Sequence, residues 1–223
     1  MPREPDDDLL IASILDDEPA DDASFGPLRC VKTLHRESPR RRMLRMTREQ
    51  SCAQQIDRLP QPGHEVVMIM DGGWHGFDLV SAVLHLAHPT RIEHLHIATL
   101  GFNRTQAQHL ANMIDAEAIG GVTMVVSEIF AEASNGEFHL LHGLLAQRGQ
   151  TVATTRNHAK LICFTMANGA KLVAHGSLNL RRCNAYEQVA LANDDQLHRF
   201  FVQYIVSDPR TRESSGLGVL GPA

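Results

Sequence analysis

Residues 157–188 concentrate the side chains whose types and spacing are suited to chemistry. His158 and Lys160 are two residues apart, as are Ser177 and Asn179, so each pair would lie on one face of a β-strand. Together they supply an imidazole that can act as nucleophile or base, a fixed cation, a hydroxyl and an amide. These groups are suited to a phosphate. Lys160 would supply charge, Ser177 and Asn179 would donate to phosphoryl oxygens, and His158 would attack phosphorus.

The turn between the two pairs predicts how they meet. Asn168-Gly169 is a strong signal for a two-residue hairpin turn between strand-like runs. Such a turn places His158 opposite Asn179 and Lys160 opposite Ser177, with opposed Cβ atoms about 4.5–5.5 Å apart. All four side chains then project from one face of the hairpin.

Neighbouring residues have candidate supporting roles. A neutral imidazole needs an acceptor on its second nitrogen, and Glu187 is the nearest candidate by sequence. Gly176, directly before Ser177, would let the backbone approach the phosphate closely. His175 shares the predicted face with Ser177 but falls opposite Ile162, which favours a structural role.

The elements that position these residues alternate between strand and helix. The alternation predicts an α/β fold, with a mixed, mainly parallel sheet flanked by helices. The run at 66–70 is continuously apolar, which is typical of a strand buried on both faces. Strands are predicted at 66–70, 92–100, 121–127, 151–155, 156–167, 170–180 and 186–192, and helices at 77–86, 105–118, 137–147 and 196–205, the last after an N-cap cluster at 193–195.

Loops at the carboxyl ends of parallel strands usually line a site, which nominates 71–75, 103–104 and 127–128. Trp74, the only tryptophan, either stacks on a base or ring or anchors its loop in the core. Arg104 either holds a phosphate at a helix start or is solvated. Arg181 directly follows the second pair and would flank a polyanion.

The pattern resembles the phospholipase D superfamily, whose core motif is His-x-Lys, then an Asp, then Gly-Ser-x-Asn, with a Glu further on. This chain reads His158-Ala-Lys160, then Gly176-Ser177-Leu-Asn179, then Glu187. The resemblance implies a phospholipase D-like half-barrel of βα units, with the site on a C-terminal β-hairpin. The family's Asp falls at Thr165, which in the predicted hairpin faces away from His158. Its loss therefore bears on support of the fold more than on chemistry.

The family uses two such motifs per active site, and this sequence contains one. The single motif resembles that of small endonucleases that pair two identical chains, which implies a homodimer with one shared site. One His158 would form a phosphohistidine. The other would protonate the leaving oxygen and later activate water. This scheme requires no metal and no cofactor.

The net charge of −5 conceals an uneven distribution. Residues 1–24 hold nine acids and one Arg, whereas residues 25–50 hold eight Lys or Arg and two Glu. The acidic, apolar run at 6–22 either binds a protein partner or is solvated. The six arginines at 35–48 either follow a phosphate backbone or neutralise the acidic run. We predict a charged, partly disordered segment at 1–60, a phospholipase D-like domain at 61–207 and a flexible tail at 208–223.

Composition narrows the class of protein. With 43% apolar and 21% charged residues, the chain is typical of a soluble globular protein, and no apolar run reaches the roughly 18–20 residues of a membrane span. Its four scattered cysteines indicate no disulfide framework, which favours a cytoplasmic setting. Closely spaced histidines at 85/88, 94/96 and 139/142 lack the carboxylate or cysteine neighbours of a metal site.

These observations predict a metal-independent phosphodiesterase, most simply a nuclease. The basic segment at 29–48, the absence of a membrane segment or secretion signal, and the short chain favour nucleic acid over lipid. A phospholipid headgroup hydrolase is the alternative within the enzyme class. A non-catalytic phospholipase D-like module, binding nucleic acid or regulating a partner, is the alternative outside it, and the acidic segment and Thr165 favour it.

Overall fold

One eight-stranded mixed sheet with helices on its faces forms the centre of the computed structural model. The structure describes residues 38–70, 74–134, 136–177, 179–181, 185–207 and 212–213. The strands are β1 (Glu65–Met70), β2 (Ile92–Thr99), β3 (Val122–Ser127), β4 (Thr151–Thr155), β5 (Leu161–Met166), β6 (Lys171–Gly176), β7 (Glu187–Asn193) and β8 (Arg212–Glu213). The helices are α1 (Pro39–Ile56), α2 (Asp78–Ala87), α3 (Arg104–Asp115), α4 (Glu128–Ala133), α5 (Glu137–Ala146) and α6 (Asp195–Ser207).

The strand order is β1-β7-β6-β5-β2-β3-β4-β8. Strands β1 to β4 and β6 run in one direction, and β5, β7 and β8 run in the other. The predicted mixed sheet with flanking helices is confirmed. Among neighbouring pairs, however, only β2–β3 and β3–β4 are parallel, because β5, β6 and β7 are inserted between β1 and β2. Local sequence patterns do not specify such an insertion.

The two faces of the sheet are covered differently. The main core lies between one face and helices α1, α2, α3 and α5. The opposite face carries a smaller apolar cluster under α6, formed around Ala98, Val125, Cys163, Val173 and Ile205. Helix α6 begins at the predicted N-cap, where the Leu197 amide donates to Asp194 Oδ1 over 2.9 Å.

Helix α1 is an element that the sequence analysis does not predict. Its C-terminal half packs on the main core through Cys52, Ala53 and Ile56. Arg48 Nε also donates to the buried Asp78 Oδ2 over 3.1 Å. The acidic run at 6–22 lies outside the described residues, and the domain boundary at 60–61 stays a prediction.

Strand β1 is the outermost strand on one side of the sheet, and one of its faces is open to solvent. This corrects the expectation of a strand buried on both faces. Val66, Met68 and Met70 face the main core, whereas Val67 and Ile69 are 56% and 70% exposed on the other face. The reason is that α6 contacts β2, β3, β5 and β6 and does not cover β1. None of the described helices combines the length and apolar character needed to cross a bilayer.

Candidate active site

The motif residues of the sequence analysis lie together at one end of the strands, which we call the sheet edge. His158 and Lys160 directly precede β5, Ser177 and Asn179 follow β6, and Glu187 is the first residue of β7. Strands β1 to β4 end at this same edge, so their carboxyl-terminal loops border the motif residues. The predicted placement of the site at the carboxyl ends of the parallel strands agrees with this topology.

The hairpin between β5 and β6 differs from the prediction by one residue. Its loop contains three residues, 167–169, closed by a 3.0 Å bond from the Met166 amide to the Ala170 carbonyl. Gly169 has φ +90°, the left-handed conformation that a three-residue hairpin loop requires at this position. Leu161 consequently pairs with His175 instead of Gly176. An Asn-Gly pair is compatible with both loop lengths, so the sequence does not decide between them.

The side chains of His158 and Lys160 are in contact, although the β5–β6 register differs from the prediction. Both precede the first residue of β5, so they lie in a loop and not in the predicted cross-strand pairs. Lys160 Nζ is 3.4 Å from His158 Nδ1 and donates to the His158 carbonyl over 3.3 Å, and the imidazole is exposed. An ammonium can only donate, so this contact is a hydrogen bond only in the tautomer that has its lone pair on Nδ1. A phosphate entering here can accept from Nζ while its phosphorus approaches the imidazole.

Buried Asn157 holds this loop, a role that the sequence analysis does not identify. Its Nδ2 donates to the Thr99 carbonyl over 3.1 Å, and its Oδ1 accepts from the Ala159 amide over 2.8 Å. The second bond is an Asx turn, which fixes the backbone on both sides of His158. The available signal was an Asn directly before the candidate nucleophile.

The β7 backbone fixes Ser177. The Ser177 amide donates to the Gln188 carbonyl over 2.9 Å, and the Gln188 amide donates to Ser177 Oγ over 2.9 Å. The Ser177 hydroxyl is exposed, and its own contact to the Gln188 carbonyl is long, 3.4 Å, so its hydrogen can turn toward a phosphoryl oxygen. Gly176 has φ +155°, and a Cβ there would collide with the Gln188 carbonyl. The close approach of the β7 backbone therefore requires glycine at this position, whether or not a phosphate binds.

The segment carrying Asn179 is anchored from two sides. The Gly76 amide donates to the Asn179 carbonyl over 3.0 Å, and Gln106 Nε2 donates to the Leu180 carbonyl over 2.5 Å. Asn179 Oδ1 is buried without a hydrogen-bond partner among the described residues. Gln106 is a further positioning residue that the sequence analysis missed. Its signal was the capping box that it forms with Asn103 at the start of α3.

Two predicted site residues are buried. Glu187 lies on the main-core face and pairs with Met70. Within the described part of the chain, its carboxylate makes no hydrogen bond to His158, so its role in fixing the tautomer stays a prediction. Trp74 is 8% exposed within the main core, which favours the anchor over the stacking platform. Residues 71–73 of the same loop lie outside the described residues.

The two predicted phosphate-binding arginines border one cleft. Arg181 is exposed and lines a cavity of about 370 Å³. Arg104 is the first residue of α3, and its Nη2 would lie 3.7 Å from a Cβ at Gly136, which precedes Glu137 of the cleft wall.

Thr165, at the position of the family's Asp, is remote from the motif residues. It lies five residues from Lys160, which is about 16 Å along a strand. Its Oγ1 is 3.2 Å from His198 Nε2 on α6. This contact ties α6 to the sheet, in agreement with a role in fold support.

Histidines gather beside Thr165 on the α6 side of the sheet. The rings of His94 and His96 are 4.3 Å apart, and that of His198 is 6.5 Å from His96. Burial lowers the pKa of His96 to about 4, with further lowering by His94, His198 and Lys171. Among the residues that the structure describes, no cluster of three or more His, Cys, Asp or Glu side chains could hold a metal ion.

No family model and no curated protein matches the sequence. Three similar solved structures are Nuc, a phospholipase D family member from Salmonella typhimurium, polyphosphate kinase from Porphyromonas gingivalis and phosphatidylserine synthase from Haemophilus influenzae. Nuc is 17% identical with a TM-score of 0.47, and the match covers 67% of this chain and 98% of Nuc. The polyphosphate kinase is 11% identical with a TM-score of 0.50, covering 68% of this chain and 27% of the kinase. The phosphatidylserine synthase is 16% identical with a TM-score of 0.43, covering 66% of this chain and 38% of the synthase.

At these identities the likeness concerns the fold alone. The chain therefore has a mixed α/β fold similar to that of the polyphosphate kinase.

Proposed function

We propose that the protein is a metal-independent phosphodiesterase that cleaves nucleic acid at a site shared by two copies of the chain. The observation that carries this proposal is the exposed His158–Lys160 pair at the sheet edge, with an ammonium 3.4 Å from the imidazole. Ser177 and Asn179, at the same edge, supply neutral donors for phosphoryl oxygens. The fold likeness to Nuc and to the phosphatidylserine synthase is consistent with phosphodiester chemistry.

In the proposed reaction, one neutral His158 attacks phosphorus and forms a P–N bond as the bond to the leaving oxygen breaks. The His158 of the second copy, protonated, transfers its proton to that oxygen. It then accepts a proton from water as the water oxygen attacks phosphorus and the P–N bond breaks. Lys160, Ser177 and Asn179 hold the non-bridging oxygens throughout. Acid–base catalysis of this kind typically contributes about 10²–10⁴ in rate.

Cations around the site favour a polyanionic substrate. The Arg156 side chain is 92% exposed beside His158, and its contact to Glu128 is long, 3.7 Å. Arg181 is exposed on the other side of the motif. Cations near the motif residues attract the phosphates of nucleic acid.

An exposed apolar surface next to the motif supports the homodimer. On the face that α6 leaves open, Val67 pairs with Ala190 and Ile69 pairs with Gln188, which in turn bonds Ser177. We call this surface the open sheet face. Because it adjoins Ser177 and the chain has one motif, we propose that a second copy covers it and completes the site.

Turnover of labelled DNA and RNA in EDTA tests the activity. We expect His158→Ala to lose at least about 100-fold in rate while still binding nucleic acid. The matched control is His85→Ala, an exposed histidine on α2, which should cleave like the wild type. Activity that disappears in EDTA contradicts the mechanism. Binding by the wild type without cleavage favours the non-catalytic module.

The molar mass in solution tests the shared site. We expect a dimer for the wild type and dissociation, with loss of cleavage, for Ile69→Asp. Met43→Asp, at an apolar position on α1 that is 69% exposed against 70% for Ile69, should remain dimeric. A strictly monomeric wild type that cleaves nucleic acid would exclude the shared site.

The remaining elements of the proposal concern the chain as a whole. We place the protein in the cytoplasm. We divide it into residues 1–60, 61–207 and 208–223 on the turn signal of Pro60-Gln-Pro62-Gly63 and the Gly-, Ser- and Pro-rich composition after Ser207. The segment 1–60 includes α1, which packs on the main core. A protein partner for the acidic run at 6–22 is part of this proposal, although that run lies outside the described residues.

A further inference from the structure

A cleft of about 370 Å³ opens next to the candidate active site. Two chain connections place it on the same rim as His158. Leu100 of the cleft follows Thr99, whose carbonyl accepts the bond from Asn157, and Arg181 of the cleft is two residues from Asn179. The lining consists of Leu100, Ile129, Phe130, Ala133, Ser134, Glu137 and Arg181.

The walls of the cleft are mainly apolar, and neighbouring residues hold the apolar side chains in place. The Phe130 ring packs against Phe102 with 5.0 Å between ring centroids. A Cβ at Gly101 would lie 2.8 Å from Phe130 Cδ2, so glycine makes room for this ring. Ile129 is 71% exposed at the cleft, although it is a large apolar side chain. The cleft thus offers an apolar surface to solvent beside a site suited to phosphate.

The charged groups of the cleft have a definite arrangement. Glu137 is a half-buried carboxylate in the wall, and Arg181 is an exposed cation that also lines the cavity. The Arg104 guanidinium lies beside Gly136, next to Glu137. One acceptor therefore lies within an apolar cavity that has cations on its borders.

We propose that this cleft binds an unpaired nucleobase next to the scissile phosphate, so that the substrate is single-stranded nucleic acid. The base ring would contact Ile129 and Phe130, Glu137 would accept from an exocyclic amine or ring N–H, and Arg181 would face a neighbouring phosphate. The volume is within the range of about 300–1,000 Å³ typical of ligand pockets. The inference rests on the proposed function.

Two competing ligands fit the cleft less well. A base within a duplex is stacked and paired, and its extrusion costs a few kcal/mol. An acyl chain offers no hydrogen-bond donor to the Glu137 carboxylate that it would cover. An unpaired base satisfies both the apolar surface and the carboxylate.

Cleavage of three substrates in EDTA tests the inference. They are a single-stranded oligonucleotide, the same backbone with abasic positions, and the corresponding duplex. For the wild type we expect kcat/KM to be about 10-fold higher for the base-bearing strand than for the abasic strand, because contact with one base contributes about 1–3 kcal/mol. The duplex should be cleaved more slowly than the single strand. Equal values for base-bearing and abasic strands, or faster cleavage of the duplex, would overturn the inference.

Ile129→Ser identifies the cleft as the source of the discrimination. We expect it to reduce the 10-fold preference to below about threefold, because kcat/KM for the base-bearing strand falls toward that for the abasic strand. Glu132→Ser, an exposed position on the same helix outside the cleft, should retain the full preference. A preference that survives Ile129→Ser contradicts the assignment. The assignment is also contradicted if Ile129→Ser lowers the hydrolysis of a short-chain phospholipid but does not change the cleavage of oligonucleotides.

A binding measurement separates this inference from the proposed function. Absence of cleavage of every strand by the wild type refutes the nuclease proposal. Affinities of His158→Ala, with and without Ile129→Ser, for base-bearing and abasic strands still test the cleft in that case. Equal affinities for the two strands in His158→Ala would refute the base-binding cleft.

Discussion

Removal of the Asn157 side chain tests whether the loop geometry around His158 sets the activity. Asn157→Ala leaves the Thr99 carbonyl without its buried donor and the Ala159 amide without its acceptor. An unsatisfied buried polar group costs about 1–3 kcal/mol, and the half-buried Ala159 amide regains water in part. We therefore expect the free energy of unfolding to fall by about 2–3 kcal/mol.

The same substitution should reduce activity by more than its effect on folding explains. His158 lies between the two residues that the Asn157 side chain ties together, so the imidazole loses its fixed position relative to Lys160. A displacement of about 1 Å at a reacting group costs on the order of 100-fold in rate. We expect kcat/KM for oligonucleotide cleavage in EDTA to fall by about this factor at a temperature where the variant is fully folded.

Asn168→Ala is the matched control for Asn157→Ala. Asn168 Oδ1 accepts from the Ala170 amide over 3.1 Å in the same kind of turn, but it is exposed and lies at the far end of β5. Its replacement should cost less than about 1 kcal/mol and leave kcat/KM unchanged. The reasoning is refuted if Asn157→Ala loses stability, measured by urea unfolding, yet cleaves within threefold of the wild type.

Three further substitutions probe the framework of the site by urea unfolding. Arg48→Met should cost about 2 kcal/mol, because it leaves the buried Asp78 carboxyl, whose pKa burial raises, without its ion pair. The double variant with Asp78→Asn should recover most of this loss, and an Arg48→Met variant as stable as the wild type would contradict the argument. His96 has a pKa of about 4 in the folded protein and an ordinary value near 6.5 when unfolded, so stability is complete above about pH 6.5 and falls toward pH 4 as the unfolded chain binds the proton. Partial solvent access reduces the loss to about 1–2 kcal/mol, and a His96→Gln variant with an undiminished pH slope would disprove the assignment. Gly176→Ala should cost at least about 2 kcal/mol because its methyl group collides with the β7 backbone, whereas Gly149→Ala, with φ +67° but open space around it, should cost about 1 kcal/mol; equal losses would show that the collision is relieved without cost.

The sequence by itself was sufficient for features that depend on nearby residues. The strand at 151–155 has the predicted bounds, and β3 and α5 end where, or within a residue of where, the apolar pattern indicates. Asp194 caps α6 because an Asp side chain reaches the amide three residues on without help from distant parts of the chain. The spacing of His158 and Lys160 likewise identified a pair that the structure keeps in contact, since the two residues are only two positions apart.

Only the tertiary structure decided features that depend on residues far apart in the chain. The β5–β6 register is one residue from the prediction, because the loop includes Ala167 as well as Asn168 and Gly169. Strand β1 has an open face because it is the outermost strand, next to β7, and α6 packs on β2, β3, β5 and β6 instead. The anchoring of the site by Asn157 and Gln106 depends on carbonyl groups 58 and 74 residues away. Periodicity and capping act over a few residues, whereas a buried hydrogen bond is formed only where packing brings its distant partner within reach.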